Sequence, residues 1–316
     1  MPWQRTLKRP LRFAGVGLHS GKDVAIKVLP APQDAGIVFC TGAPRSYVPA
    51  QIANVKARQH QFCTQLALND TFVSTVEHLM AALVASRISN ALIEVKECSQ
   101  VSRVELPILD GSSLEYIRGI RRVGIKEQKG AILKHLRIKR PVQVLQHDKA
   151  AWFLPFPKDL STSASCLQAP TLQMSVQVNF AHMQLGTTFC YFSLGYDSAK
   201  TLDAFHDEIA PARTFTFEQE IDWMRSNGLA RGGSLSNAVV FSSNGPSSTL
   251  NDDRLRFTNE WTRHKMLDCI GDIGLAGLPL HGYFFATSPG HALTQDLLRE
   301  LFKDPENYEY STQEMI

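Results

Sequence analysis

The sequence predicts an α+β fold. Strand-like stretches are grouped around a few helical ones instead of alternating with them, which argues against a doubly wound parallel sheet. The 316 residues correspond to about two domains at roughly 150 residues each. Two segments, 76–95 and 263–286, repeat one order: a helix with an early histidine, a turn, then an apolar strand. That echo fits an internal duplication with two similar domains facing each other. It fits equally well the general abundance of helix–turn–strand units.

Residues 24–28 alternate, with Val24, Ile26 and Val28 against Ala25 and Lys27, which is the period of a half-buried strand. Gly15, Gly17 and Gly21 precede them as turn residues. Val76, Leu79, Met80, Leu83 and Val84 recur at helical spacing over 76–86, Ser89 and Asn90 interrupt, and 91–95 reads as a strand. PILDG at 107–111 is a turn. Residues 123–130 are polar and patternless, which places a boundary there: a first α+β domain over 1–126, a second over 127–305, and a polar, frayed tail over 306–316. The second half predicts strands at 136–144, 151–156, 174–180 and 188–192, then a helix at 198–209. An amphipathic helix at 216–227 ends at Gly228, and a strand at 238–241 follows the break Gly232-Gly233-Ser234. A helix at 259–275 is stopped by Gly277 and Pro279, and a strand at 282–287 and a helix at 295–302 complete the order.

Composition narrows the function. Thirty-three basic and thirty acidic side chains leave a net charge of +3, too balanced for a nucleic-acid reader. A chain 44% hydrophobic and 20% charged has the makings of real cores. The longest apolar run, near 79–85, is far short of the ~18 residues that cross a bilayer. The opening MPWQRTLKRP has basic residues with no apolar segment behind them, so no secretory signal is expected. The six cysteines (Cys40, Cys63, Cys98, Cys166, Cys190, Cys269) form no CxxC pair, which points to reduced thiols in a cytosol.

The strongest chemical signal is RHKMLDCIGD at 263–272. On a helix His264, Asp268 and Asp272 share one face, and imidazole plus carboxylate at that spacing is a workable pair of zinc ligands. A buried His–Asp hydrogen bond or a solvated face are the alternatives. A catalytic zinc site needs a third ligand and an open position. His78 in TVEH is the candidate, with Glu77 beside it. Ser74-x-x-Glu77 is also a capping-box pattern, which would give Glu77 a structural task. HExxH is absent. His291 in SPGHA and His19 in GLHSG sit in turns, where scaffolds often present catalytic groups. His60, His135, His147, His182, His206 and His281 show no partner pattern. In 213–217, Thr214 offers a hydroxyl between Arg213 and two aromatics, Phe215 and Phe217, which read equally as core. No dinucleotide fingerprint, P-loop or GxSxG elbow is present.

Together, QRTLKRPLRFAGVGLHSGK, STVEHLMAAL, PILDGS, PARTFTF, GLARGGSLSNAVV, LRFTNEWTRHKMLDCIGD and SPGHAL resemble the UDP-3-O-acyl-N-acetylglucosamine deacetylase (LpxC) family, in the family's order from Gln4 to about Leu298. The resemblance implies two similar domains, each a helix layer on a β-sheet, with the active site between them. It implies a cytoplasmic, zinc-dependent hydrolase of lipid A (lipopolysaccharide) biosynthesis, in a Gram-negative bacterium or related organelle, that removes the N-acetyl group from a UDP-linked acylated amino sugar and gives acetate. It assigns His78, His264 and Asp268 to Zn²⁺, Glu77 to the general base, His291 to the general acid and Asp272 to the carboxylate that orients it. Lys265 and Thr214 match groups near the developing oxyanion. Leu18, Phe215, Ile221, Ala230, Leu235, Ala238 and Val240 match an apolar passage for the acyl chain, while His19 and Asp110 match positions of less definite role. It further implies a monomer with peripheral inner-membrane contact and no nucleic-acid partner. Departures are Phe180-Ala181-His182-Met183 where the family often has Phe-x-His-Pro, a longer loop over 96–105, and Ser236 where an acid is frequent. The dehydratase domain fused in some relatives is not expected here. A zinc amidase for another N-acyl substrate and a non-catalytic relative are the rival readings. Acyl length and the choice between Zn²⁺ and Fe²⁺ stay open.

Overall fold

A computed structural model describes residues 3–42, 44–56, 62–97, 103–157, 172–180, 185–195, 198–242 and 248–312. The chain opens with β1 (Trp3–Leu7), β2 (Leu11–Val16), β3 (Asp23–Pro30), β4 (Ile37–Thr41), β5 (Ser46–Pro49), β6 (Gln65–Leu68) and β7 (Thr71–Ser74). Helix α1 (Glu77–Ala85), β8 (Ala91–Glu97), β9 (Arg103–Glu105), α2 (Leu114–Val123) and β10 (Ile125–Ile132) follow. Then come β11 (His135–Ile138), β12 (Val142–Gln146), β13 (Lys149–Leu154), β14 (Leu172–Phe180), β15 (Gly186–Leu194) and α3 (Ser198–Ala204). The order closes with β16 (Phe215–Phe217), α4 (Glu218–Ser226), β17 (Val239–Phe241), α5 (Glu260–Ile273), β18 (Leu280–Thr287), α6 (His291–Lys303) and β19 (Tyr308–Ser311).

The α+β class holds. A five-stranded sheet runs β2-β3-β8-β4-β5, and a seven-stranded sheet is built around β18, which pairs with β11, β13 and β14. Among the described residues, no strand before residue 133 pairs with a strand after it. The echo has a structural counterpart: α1 leads into β8 and α5 into β18, each an interior strand of its sheet. Every residue of α1 except Val84 is buried, and every residue of α5 except Arg263 and Lys265. Helices buried nearly all round belong between layers, and α1 and α5 pack on each other there. Leu79 and Leu83 of α1 share one core with Ile93 and Val95 of β8 and with Met266, Leu267 and Ile270 of α5. On the far side Met174, Val176 and Val178 of β14 face inward from alternate positions.

The two helices meet at glycines. A Cβ on Gly271 would lie 2.2 Å from the Glu77 carbonyl oxygen, and one on Gly274 would lie 2.5 Å from Val84 Cγ2. Gly271→Ala is therefore expected to destabilise the protein by roughly 1–3 kcal/mol, read as a lowered urea midpoint. An unchanged midpoint would mean that the helices part freely at this crossing.

Several expectations need correction. The strand at 136–144 is two strands, β11 and β12, because Pro141 has no N–H for a ladder. The helix at 216–227 begins at Glu218; Thr216 and Phe217 belong to β16, which pairs in parallel with β17. The patternless 123–130 contains most of β10, which pairs antiparallel with β1; with only Gln128 and Ala131 buried, it has no hydrophobic period to read. The tail is not frayed at its start: β19, rich in tyrosine, pairs antiparallel with β11. The last helix starts at His291, four residues early, and α3 continues as a π-helical turn over Phe205–Ile209. Cys40, Cys63, Cys190 and Cys269 are free and buried. Cys98, Cys166, His60, His182 and residues 98–102 lie outside the described residues. No helix among the described residues is long and apolar enough to cross a membrane.

Candidate active site

The start of α1 is shaped by Thr75, held at φ 56°, whose hydroxyl donates to Glu105 Oε1 at 2.9 Å. Glu105 also accepts the backbone N–H groups of His19 (2.9 Å) and Ser20 (2.7 Å), so one buried carboxylate ties the His19 loop to the entry of α1. The capping box does not form. Val76 is the N-cap, without a side-chain bond, and Ser74 Oγ accepts from Gln65 instead. Glu77 is thereby left to face the cavity.

His78 from α1 meets His264 and Asp268 from α5. One nitrogen or oxygen from each lies within 4.8 Å of the others, all buried. Asp268 Oδ1 is 3.4 Å from His264 Nε2 and 3.8 Å from His78 Nε2. His264 Nδ1 donates to the Ala212 carbonyl at 3.0 Å, which leaves Nε2 with its lone pair toward the cluster. Asp268 Oδ1 is buried and has no hydrogen-bond partner among the described residues, while Oδ2 accepts from Lys265 Nζ at 3.3 Å. A buried, unpartnered carboxylate oxygen is costly unless a cation meets it. Burial, reinforced by His264, lowers His78 to about 3, and burial also lowers His264. Burial would raise Asp268, but His264 and Lys265 hold it well below the carboxylate range. Two neutral imidazoles beside one carboxylate are the protonation states that metal binding demands. The donor set fits a divalent cation.

Beside the cluster lies a second group of buried titratable side chains. Glu77 Oε1 is 3.8 Å from His291 Nε2, and His291 Nδ1 is 2.8 Å from Asp272 Oδ2. Burial pushes Glu77 up to about 8, against the pull of His291. Burial alone would lower His291, but Asp272 and Glu77 outweigh it and raise it to about 10. Thr64, which the sequence did not single out, touches Glu77, Asp272 and His291.

One cavity of about 240 Å³ is lined by His78, His264, Asp268, Glu77, His291, Lys265 and Thr214. The same cavity is lined by Leu18, Phe215, Ile221, Ala230, Leu235, Ala238 and Val240, all seven positions expected of the passage. Asp272 stands behind His291 and does not line it. Sequence reading missed Phe62, Ile108 and Met224 in the lining; Met224, three residues after Ile221, was findable from helical spacing. His19 lines the cavity, whereas Asp110 does not: it accepts from Ser112 and from Arg256 Nη1 at 2.9 Å. Arg213 holds Thr214 in place through a buried pair, Nε to Glu260 Oε1 at 2.8 Å, at the first residue of α5.

The UDP-3-O-acyl N-acetylglycosamine deacetylase (LpxC) family model matches residues 4–303. A UDP-3-O-acyl-N-acetylglucosamine deacetylase from Saccharophagus degradans is 39% identical over 98% of this chain and 93% of its own length. Proteins of that name from Mannheimia succiniciproducens and Shewanella baltica strain OS155 are 38% and 36% identical over 98% of this chain, and over 93% and 92% of theirs.

Proposed function

The chain belongs to the UDP-3-O-acyl-N-acetylglucosamine deacetylase family, and from that premise we propose that it hydrolyses the N-acetyl group of a UDP-3-O-(3-hydroxyacyl)-N-acetylglucosamine. The products are acetate and the free amine, at the committed step of lipid A biosynthesis. The observation that carries this reading is one cavity in which a His–His–Asp cluster and a Glu–His pair open onto an apolar passage.

The cation is read as Zn²⁺, held by His78, His264 and Asp268 with a position left open for substrate or water. When bound, it supplies Lewis acidity, polarising the amide carbonyl and lowering the pKa of a neighbouring water from ~15.7 towards ~7. Glu77 is the general base: it is buried, basic and aimed into the cavity, and it takes the proton as water attacks. Lys265 and Thr214 flank the oxygen on which negative charge develops, where one fixed donor is worth roughly 3 kcal/mol. His291, kept cationic by Asp272, gives its proton to the departing amine nitrogen. The passage from Phe215 to Val240 takes the acyl chain, at about 0.8 kcal/mol for each buried methylene.

At the cavity rim, Leu235 and Phe62 are 45% and 38% exposed, and the Trp223 ring, 52% exposed, lies 6.1 Å from that of Phe62. This apolar edge supports peripheral contact with the inner membrane from the cytoplasmic side, the enzyme acting as a monomer. The two sheet systems on either side of α1 and α5 are read as two domains with the site between them.

The test is acetate release from the UDP-linked substrate. Glu77 must be ionised and His291 protonated, so kcat/KM is expected to rise with pH as Glu77 loses its proton and to fall as His291 loses its own. The productive pairing is favoured between about 8 and 10 in the cation-free site, and a bound cation moves that window down. A profile with no alkaline limb would remove His291 from the acid role, and no acetate release would refute the activity.

A further inference from the structure

We propose that Thr64 is a positioning residue that fixes the base and the acid of this site relative to each other, an inference that rests on the roles assigned to Glu77 and His291. Thr64 lies just before β6, on neither central helix, and is fully buried. Its backbone N–H donates to Glu77 Oε2 at 3.0 Å. Its hydroxyl has one proton and two lone pairs. The proton goes to Asp272 Oδ1, a carboxylate oxygen that can only accept. Gln295 Nε2 donates to the hydroxyl oxygen at 2.9 Å, and His291 Nδ1 lies 3.2 Å from it.

These contacts close a single consistent pattern. With the Thr64 proton committed to Asp272 and one lone pair taken by Gln295, the remaining lone pair can only receive an N–H. His291 Nδ1 must then carry its hydrogen, shared between Thr64 Oγ1 and Asp272 Oδ2 at 2.8 Å. The nitrogen left to exchange a proton is Nε2, the one that faces Glu77 at 3.8 Å. One residue thus sets the direction of the Glu77 carboxylate through its backbone and the direction of the His291 ring through its side chain. Thr64 does not line the cavity, so substrate binding does not depend on it directly.

Thr64→Val keeps the volume and the backbone N–H to Glu77 but removes the hydroxyl, whereas Thr64→Ser keeps the hydroxyl. T64V is expected to lower kcat roughly 10–100-fold, the loss that goes with removing a hydrogen bond to a charged group, with KM and cation content unchanged. T64S is expected to restore kcat to within a few-fold of the parent. A kcat for T64V equal to the parent's, or a T64S as slow as T64V, would overturn the proposal. Should T64V fold poorly, Gln295→Met carries the test: kcat is expected to fall roughly three- to tenfold at constant KM, and an unchanged kcat would overturn it. Both series are read against the parent enzyme. A parent that releases no acetate refutes the functional reading, whereas an active parent with a fully active T64V refutes only the role of Thr64.

Discussion

Glu77→Gln is expected to lower kcat by roughly 10²–10⁴-fold, the usual worth of a general base, in a protein that still binds one cation per chain. Glutamine has nearly the shape of glutamate, and its amide oxygen can still accept the Thr64 N–H that holds the parent carboxylate at 3.0 Å. The three candidate ligands are His78, His264 and Asp268, so the cation site itself is untouched. What disappears is a buried group with a proton affinity raised to about 8, facing His291 Nε2 at 3.8 Å. Acetate release measures the loss and elemental analysis of the purified variant measures the metal. Activity within tenfold of the parent, with metal present, would take the base role from Glu77. Loss of metal together with activity would instead make Glu77 a contributor to cation binding.

The parts of the site legible in the sequence are those whose geometry is local. His264 and Asp268 share a helix face at i and i+4, and both point into the same cluster. Lys265 and Asp268, three apart, also meet. The fate of Glu77 was less legible. Ser74-x-x-Glu77 satisfies a capping-box pattern, yet Val76 takes the cap position and the carboxylate turns to Thr64 and His291. Local pattern offered two outcomes there, and tertiary contacts decided between them. Thr64, Gln295 and Glu105 were invisible because each acquires its task only through partners far along the chain: Thr64 reaches Asp272, Gln295 reaches Thr64, and Glu105 reaches His19 and Thr75.

The fold divides in the same way. β3 and β14, which each bury alternate side chains, and α1 and α5, which are buried nearly all round, lie where their apolar spacing places them. Elements at the margins were missed or mis-bounded. β10 buries only Gln128 and Ala131 of its eight residues, and β19 is four residues of alternating polar and aromatic character; both are strands because β1 and β11 offer ladder partners. β16 reads as the first turn of a helix until β17, more than twenty residues on, pairs with it. That pairing matters for the site. It sets Phe215 opposite Val239 and Thr216 opposite Val240, with Phe215 and Val240 both lining the cavity, while the Val239 N–H holds the Thr214 carbonyl at 2.8 Å.

Asp268→Ala is expected to abolish cation binding and turnover together. In the parent, Asp268 Oδ1 faces both His264 Nε2 (3.4 Å) and His78 Nε2 (3.8 Å), and among the described residues it has no hydrogen-bond partner of its own. Its removal leaves two neutral imidazoles, with no anionic donor and one ligand too few for a catalytic zinc site. A ligand that binds only the folded state stabilises it by RT ln(1 + [L]/Kd), about 4 kcal/mol at a thousandfold excess over Kd. Added Zn²⁺ should therefore raise the melting temperature of the chelator-stripped parent and leave that of the stripped D268A variant where it was. Lys265, which donates to Asp268 Oδ2 at 3.3 Å, would lose its partner, but it is partly exposed and can turn to water. The comparison of melting temperatures with and without Zn²⁺ cancels that cost, because it is present in both. A D268A protein that still takes up one equivalent of Zn²⁺, with the parent's gain in melting temperature, would place the cation elsewhere. The Glu77 and His291 roles would then have no electrophile to serve.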